Sequence, residues 1–139
     1  MPRARIPHST AKDDTVLPVT TDSGTYTVKN GTQGYADVRD VPYIDVVATR
    51  STNKRTLTLF CVNRSLTDDT PVKIDLGAFA ATKMAKVEQI TAVSRYVIND
   101  EVEPKRVVPQ LSSLNIAPNE PLTITLPHES VTVIRLQEK

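Results

Sequence analysis

The chain has no tryptophan, a single cysteine, four glycines and only six aromatic residues among its 139. Each shortage excludes something. Cys61 alone cannot close an internal disulfide, nor can it build a zinc site on paired cysteines. Without tryptophan, a sugar-stacking platform would rest on Tyr26, Tyr35, Tyr43 and Tyr96, and Tyr43 and Tyr96 are expected to serve the core or an interface instead. No apolar run approaches the roughly 18–20 residues that span a bilayer, so no membrane partner is expected. The start, Met1-Pro2-Arg3-Ala4-Arg5-Ile6-Pro7, is basic but lacks the apolar stretch of a secretory signal, which favours a cytoplasmic location. Neither sign of charge is in excess: 17 basic against 16 acidic residues leave a net charge of +1. Arg3, Arg5, Lys12, Arg50, Lys54 and Arg55 are scattered and not interleaved with aromatics, so no nucleic-acid partner is expected. The length also excludes a (β/α)₈ barrel, which needs roughly 200–250 residues.

What the chain does have is β-branched residues: Thr, Val and Ile together make up 43 of the 139. Their side chains are stiff at χ1 and suit a pleated surface. Residues 1–14, broken by Pro2 and Pro7, read as a leader or linker remnant, and residues 15–139 as one domain. Thr15–Val19 and Tyr26–Val28 are short strand candidates around Asp22-Ser23-Gly24, followed by turn punctuation at Asn30-Gly31 and Gly34. From Tyr43, one strand face carries Ile44, Val46 and Ala48. Ser51–Arg55 makes a polar turn, and Leu57, Leu59 and Cys61 then alternate with Thr56, Thr58 and Phe60, which together predict a β-hairpin.

Val72, Ile74 and Leu76 predict a half-buried strand. Ala78–Ala85 is helix-friendly but too short to be independently helical, so a turn leading into a strand at Lys86–Thr91 is expected. Residues 95–110, with Pro104 and Pro109, read as an irregular excursion. Leu122, Ile124 and Leu126 alternate cleanly. Val131, Val133, Ile134 and Leu136 need one phase slip, which implies either a bulge or a strand covered on both faces. The expected fold is all-β: a jelly-roll-like sandwich of about 8–10 antiparallel strands. Leu57, Leu59, Val72, Ile74, Ile124 and Val133 are expected in the core.

Residues that could carry chemistry are few. Asp68-Asp69 and Asp100-Glu101 with Glu103 are candidate carboxylate clusters, and they lack the spacing of a calcium loop. His8 and His128 are the only imidazoles. A Cys61–His dyad is conceivable on paper, but Cys61 sits in an apolar alternation where free cysteine behaves as a small hydrophobe. Asn63-Arg64-Ser65 and Asn30-Gly31-Thr32 fit the glycosylation pattern; Asn63 is expected instead to end its strand by satisfying turn backbone. No catalytic, cofactor or metal residue is assigned.

Val41-Pro42-Tyr43-Ile44-Asp45-Val46-Val47-Ala48-Thr49-Arg50 and Leu57–Ser65 resemble the C-terminal domain of α-L-arabinofuranosidases of glycoside hydrolase family 51. The resemblance continues through Val72–Phe79, Asn99–Pro109 and Leu126–Leu136. Asp22-Ser23-Gly24-Thr25-Tyr26 is similar too, with Gly24 where the family has proline. It covers about residues 16–137. It implies a non-catalytic accessory domain whose partner is the catalytic barrel of a retaining glycosidase, with support of stability or homo-oligomerisation as its task. Strand-forming sequence from elsewhere in such an enzyme can complete the sandwich. Faces near Tyr43–Ala48 and Val131–Leu136 are then expected to pack on the barrel, or on a second copy. A retaining glycosidase needs two carboxyls about 5–5.5 Å apart, and no residue here matches the motifs that supply them. A stand-alone carbohydrate-binding module and an unrelated interaction domain remain the alternatives.

Overall fold

The computed structural model describes residues 14–30 and 34–139. Ten strands follow one another along the chain: β1 Thr15–Leu17, β2 Thr25–Val28, β3 Val38–Pro42, β4 Ile44–Arg50, β5 Thr56–Asn63, β6 Thr70–Ile74, β7 Met84–Ile90, β8 Gln110–Asn115, β9 Leu122–Leu126 and β10 Ser130–Gln137. Every pairing is antiparallel, and no helix occurs among the described residues. The fold is the all-β sandwich that the alternation implies. Its layers are unequal: a six-stranded sheet ordered β1-β4-β5-β10-β7-β8 faces the two-stranded pair β6-β9, and β2-β3 forms a separate ribbon.

The period-2 pattern explains which side of the large sheet is buried. On β4 and β5, Ile44 and Ala48 and Leu57, Leu59 and Cys61 point inward, as side chains two apart on a strand must. Val87 and Ala85 on β7 join them, as do Ile134 and Leu136 on β10, and Leu122 and Leu126 of β9 close the core from the opposite layer. The β4–β5 hairpin turns through Ser51–Arg55 as expected. Ser51 Oγ accepts from the Thr56 N–H at 2.9 Å, and Lys54 adopts the left-handed conformation, φ 60°.

Four sequence expectations need correction. The strand read from Tyr43 begins at Ile44, because Tyr43 is a bend separating β4 from β3. The strand expected at Lys86–Thr91 is Met84–Ile90. The Ser130–Gln137 strand has no bulge: its register with β5 runs unbroken from Ser130↔Asn63 to Gln137↔Thr56. The apparent phase slip arises because a polar residue, Thr132, occupies the core face. Thr132 is fully buried, and its hydroxyl accepts from Gln89 Nε2 at 3.2 Å. Val133 therefore lies on the outer face, half-buried. It is not a core residue. Val72, Ile74 and Ile124 pack against the core only partly buried.

Candidate functional site

Six strands facing two leave part of the inner surface uncovered. The result is a groove of about 900 Å³ between β4–β5 and β6, walled by Ile44, Val46, Ala48, Leu57 and Leu59 on one side and Val72, Ile74 and Leu76 on the other. The segment from Leu17 to Gly24 and the ring of Tyr43 complete the lining. Protein interiors are otherwise close-packed, with few voids larger than a water molecule. An open apolar slot of this size in one small domain is a place for something to sit.

Local sequence fixes the ends of the groove. Ser23 Oγ accepts from the Ile44 N–H at 3.3 Å, and Tyr43 donates its N–H to the Gly24 carbonyl at 2.9 Å. Tyr43 and Tyr26 rings lie 4.9 Å apart between centroids. At the same end Arg64 donates to the Pro42 carbonyl and to Asp45 Oδ2, at 3.0 and 2.8 Å. The polar groups on the rim are engaged in turns: Asp75 Oδ1 accepts from the Gly77 N–H at 2.8 Å, and Ser65 Oγ accepts from the Asp68 N–H at 2.9 Å. The lining contains no histidine and no cysteine.

Of the residues singled out in the sequence for chemistry, Tyr43 and Asp68 line the groove; the others fall elsewhere. Cys61 is completely buried, and burial pushes its thiol up to about 11, so it stays a neutral hydrophobe at ordinary pH. His128 sits in an exposed turn, its Nδ1 2.7 Å from Asp69 Oδ1, and its N–H also donates to that oxygen at 2.9 Å. Those contacts, the backbone one first, hold the Asp69 carboxyl below the ordinary carboxylate value. Asp69 is thus tied to a histidine, while its neighbour Asp68 belongs to a different turn. Asp100 caps the N–H groups of Val102 and Glu103 at 3.0 and 2.7 Å and pairs with Arg106 at 3.3 Å. Among the described residues no three His, Cys, Asp or Glu side chains are grouped to hold a metal ion.

His8 and the leader at residues 1–13 lie outside the described residues, as do Gly31 and Thr32 of one glycosylation pattern. In the other pattern Asn63 is 1% exposed and bonded on all sides, so the folded chain does not present it to a modifying enzyme. Tyr43 is partly exposed, and Tyr96 is 82% exposed, so of the core and interface roles expected for Tyr96 the core is excluded.

The family model for the α-L-arabinofuranosidase C-terminal domain matches residues 8–130. No curated protein matches the chain in sequence. Among solved structures, the thermostable family 51 α-L-arabinofuranosidase from Thermotoga petrophila is 20% identical with a TM-score of 0.74, over 84% of this chain and 24% of that one. The family 51 arabinofuranosidase from Xanthomonas axonopodis pv. citri is 17% identical with a TM-score of 0.72, over 90% and 23%. A family 51 α-L-arabinofuranosidase from Bifidobacterium longum is 31% identical with a TM-score of 0.61, over 82% and 21%. This chain therefore spans about a quarter of the length of the enzymes it matches.

Proposed function

Because the chain belongs to the family of α-L-arabinofuranosidase C-terminal domains, we propose that it is a non-catalytic accessory domain, residues 15–139, that packs on the catalytic barrel of a family 51 enzyme. The observation that carries the reading is the family match over residues 8–130. The groove supports it. An extended apolar segment from the rest of such an enzyme, laid between β4 and β6, would bury Val46, Val72 and Ile74, which this chain alone leaves partly covered. At roughly 25 cal/mol per Å² of apolar surface removed from water, covering the slot stabilises both partners. The domain thus contributes stability to the enzyme, and the barrel contributes the chemistry.

A direct test is turnover of a chromogenic α-L-arabinofuranoside by the purified 139-residue chain. No hydrolysis above the buffer blank is expected. Turnover that disappears when one carboxylate of this chain is replaced would overturn the non-catalytic reading.

A further inference from the structure

The β2–β3 ribbon stands apart from both layers: among the described residues its two strands bond to each other and to no other strand. Its register breaks once. Between the pairs Tyr26↔Val41 and Val28↔Val38, β2 has one residue, Thr27, and β3 has two, Arg39 and Asp40. Asp40 takes the left-handed conformation, φ 54°. This is a β-bulge, which re-aims the side chains beyond it. In a regular strand Val38 and Val41, three residues apart, would lie on opposite faces. Across the bulge both lie on the face of their cross-strand partners, Val28 and Tyr26, while Thr25 and Thr27 take the other. The ribbon therefore has one apolar face. Its outer half is uncovered, with Val28 48% and Val38 56% exposed.

That face does not stop at the ribbon. The Tyr26 ring lies 4.9 Å from the ring of Tyr43, and Tyr43 lines the groove. Apolar surface thus runs from Val28 and Val38 through the two tyrosines to the groove's end. Farther out on the ribbon, Asn30 donates its N–H to Asp37 Oδ1 at 3.0 Å, which ties the two strands together beyond their last pair.

We propose that the ribbon is an arm that lays its apolar face on a helix in the outer ring of the catalytic barrel. The inference rests on the accessory-domain reading and names the contact by which the domain grips the barrel. An added strand does not fit, because both edges of the ribbon are blunted. β2 has only four residues, and β3 carries the bulge and Pro42, which has no N–H to give. The open surface is the face. A lone two-stranded hairpin is marginally stable in water, and packing against a helix stabilises it. No helix occurs among the described residues, whereas a (β/α)₈ barrel is ringed by helices. Two strands about 5 Å apart present a strip that one helix, about 10 Å across with its side chains, covers. The same helix, or the segment beside it, then adjoins whatever occupies the groove.

Amide hydrogen exchange of the full 139-residue chain tests the arm, first alone and then with the catalytic portion of the Bifidobacterium longum family 51 enzyme. Alone, Tyr26–Val28 and Val38–Val41 exchange at least roughly tenfold faster than Leu57–Cys61 at the centre of the large sheet, as sparsely packed elements do. With the catalytic portion present, the ribbon amides slow at least roughly tenfold. Val28→Glu combined with Val38→Glu charges the face and weakens binding by a similar factor. Its melting temperature stays close to the parent's, because both positions are exposed. Thr27→Glu, on the opposite face, leaves the affinity unchanged. A complex that protects the groove strands and not the ribbon overturns the arm and leaves the accessory-domain reading standing. So does a double variant that binds as tightly as the parent. The absence of any complex overturns both.

Discussion

Leu136→Ala lowers the unfolding free energy of the chain by about 2–5 kcal/mol. The side chain is completely buried, on the strand at the centre of the large sheet. There it stands opposite Leu57 of β5 and shares the core with Ala85 and Val87 of β7. Truncation removes its transfer free energy and leaves a cavity that a sheet bonded on both sides closes only partly. For a domain of this size the melting temperature falls by roughly 10 °C. Val133→Ala, three residues earlier on the outer face, costs about 1 kcal/mol or less, although the sequence pattern makes the valine and leucine positions look alike. Thermal melts by circular dichroism check both. Equal losses at the two positions would mean that β10 is not oriented as described.

Asn63→Asp is expected to be the other large loss, exceeding Asn63→Ala. Asn63 Nδ2 donates to the carbonyls of Leu126 and Asp68 at 3.0 and 3.1 Å, and its Oδ1 accepts from the Ser65 N–H at 2.9 Å. One side chain thus joins the end of β5, the following turn and the start of the β9–β10 connection. Alanine leaves those three groups without their partner, at about 1–3 kcal/mol for each that water cannot reach. Aspartate keeps the shape but replaces two donors with a buried charge facing two carbonyl oxygens. Its native pKa is raised above the unfolded value of about 3.9, because ionisation is penalised only in the folded state. The penalty is therefore present above that raised value and fades as pH falls to about 4 and below, where both states are protonated. Denaturant melts at pH 7 and pH 4 check the sign. A variant that is equally destabilised at both would place the loss in shape rather than charge.

Strands that alternate against a core were legible in the sequence, and strands that face solvent were not. The Ile44–Asn63 hairpin, β6 and β9 announce themselves because one face is apolar and the other polar. β3, Val-Arg-Asp-Val-Pro, pairs among the described residues only with β2, and its first three residues are exposed. β8 has a single half-buried residue, Leu114. With no buried face, neither leaves a period-2 signature, and neither is predicted as a strand. Thr132 misled for a related reason: a hydroxyl satisfied by Gln89 occupies a core position where the pattern calls for an apolar side chain. Asn63 was legible as a turn-satisfying residue, and the structure gives it three backbone partners. The Tyr43–Ala48 wall of the groove was expected as a face that packs on a partner, but the groove itself had no signature. It arises because one layer has six strands and the other two, and layer completeness is a property of the assembly of strands, not of any segment.

The most direct measurement is a calorimetric titration of this chain into the catalytic portion of the Bifidobacterium longum family 51 enzyme, prepared without its own C-terminal domain. The account predicts saturable one-to-one binding, lost when Val46→Glu places a charge in the groove and kept when Val102→Glu charges the exposed excursion. If that catalytic portion binds its own C-terminal domain and ignores this chain, the assignment as an accessory domain of such an enzyme is contradicted.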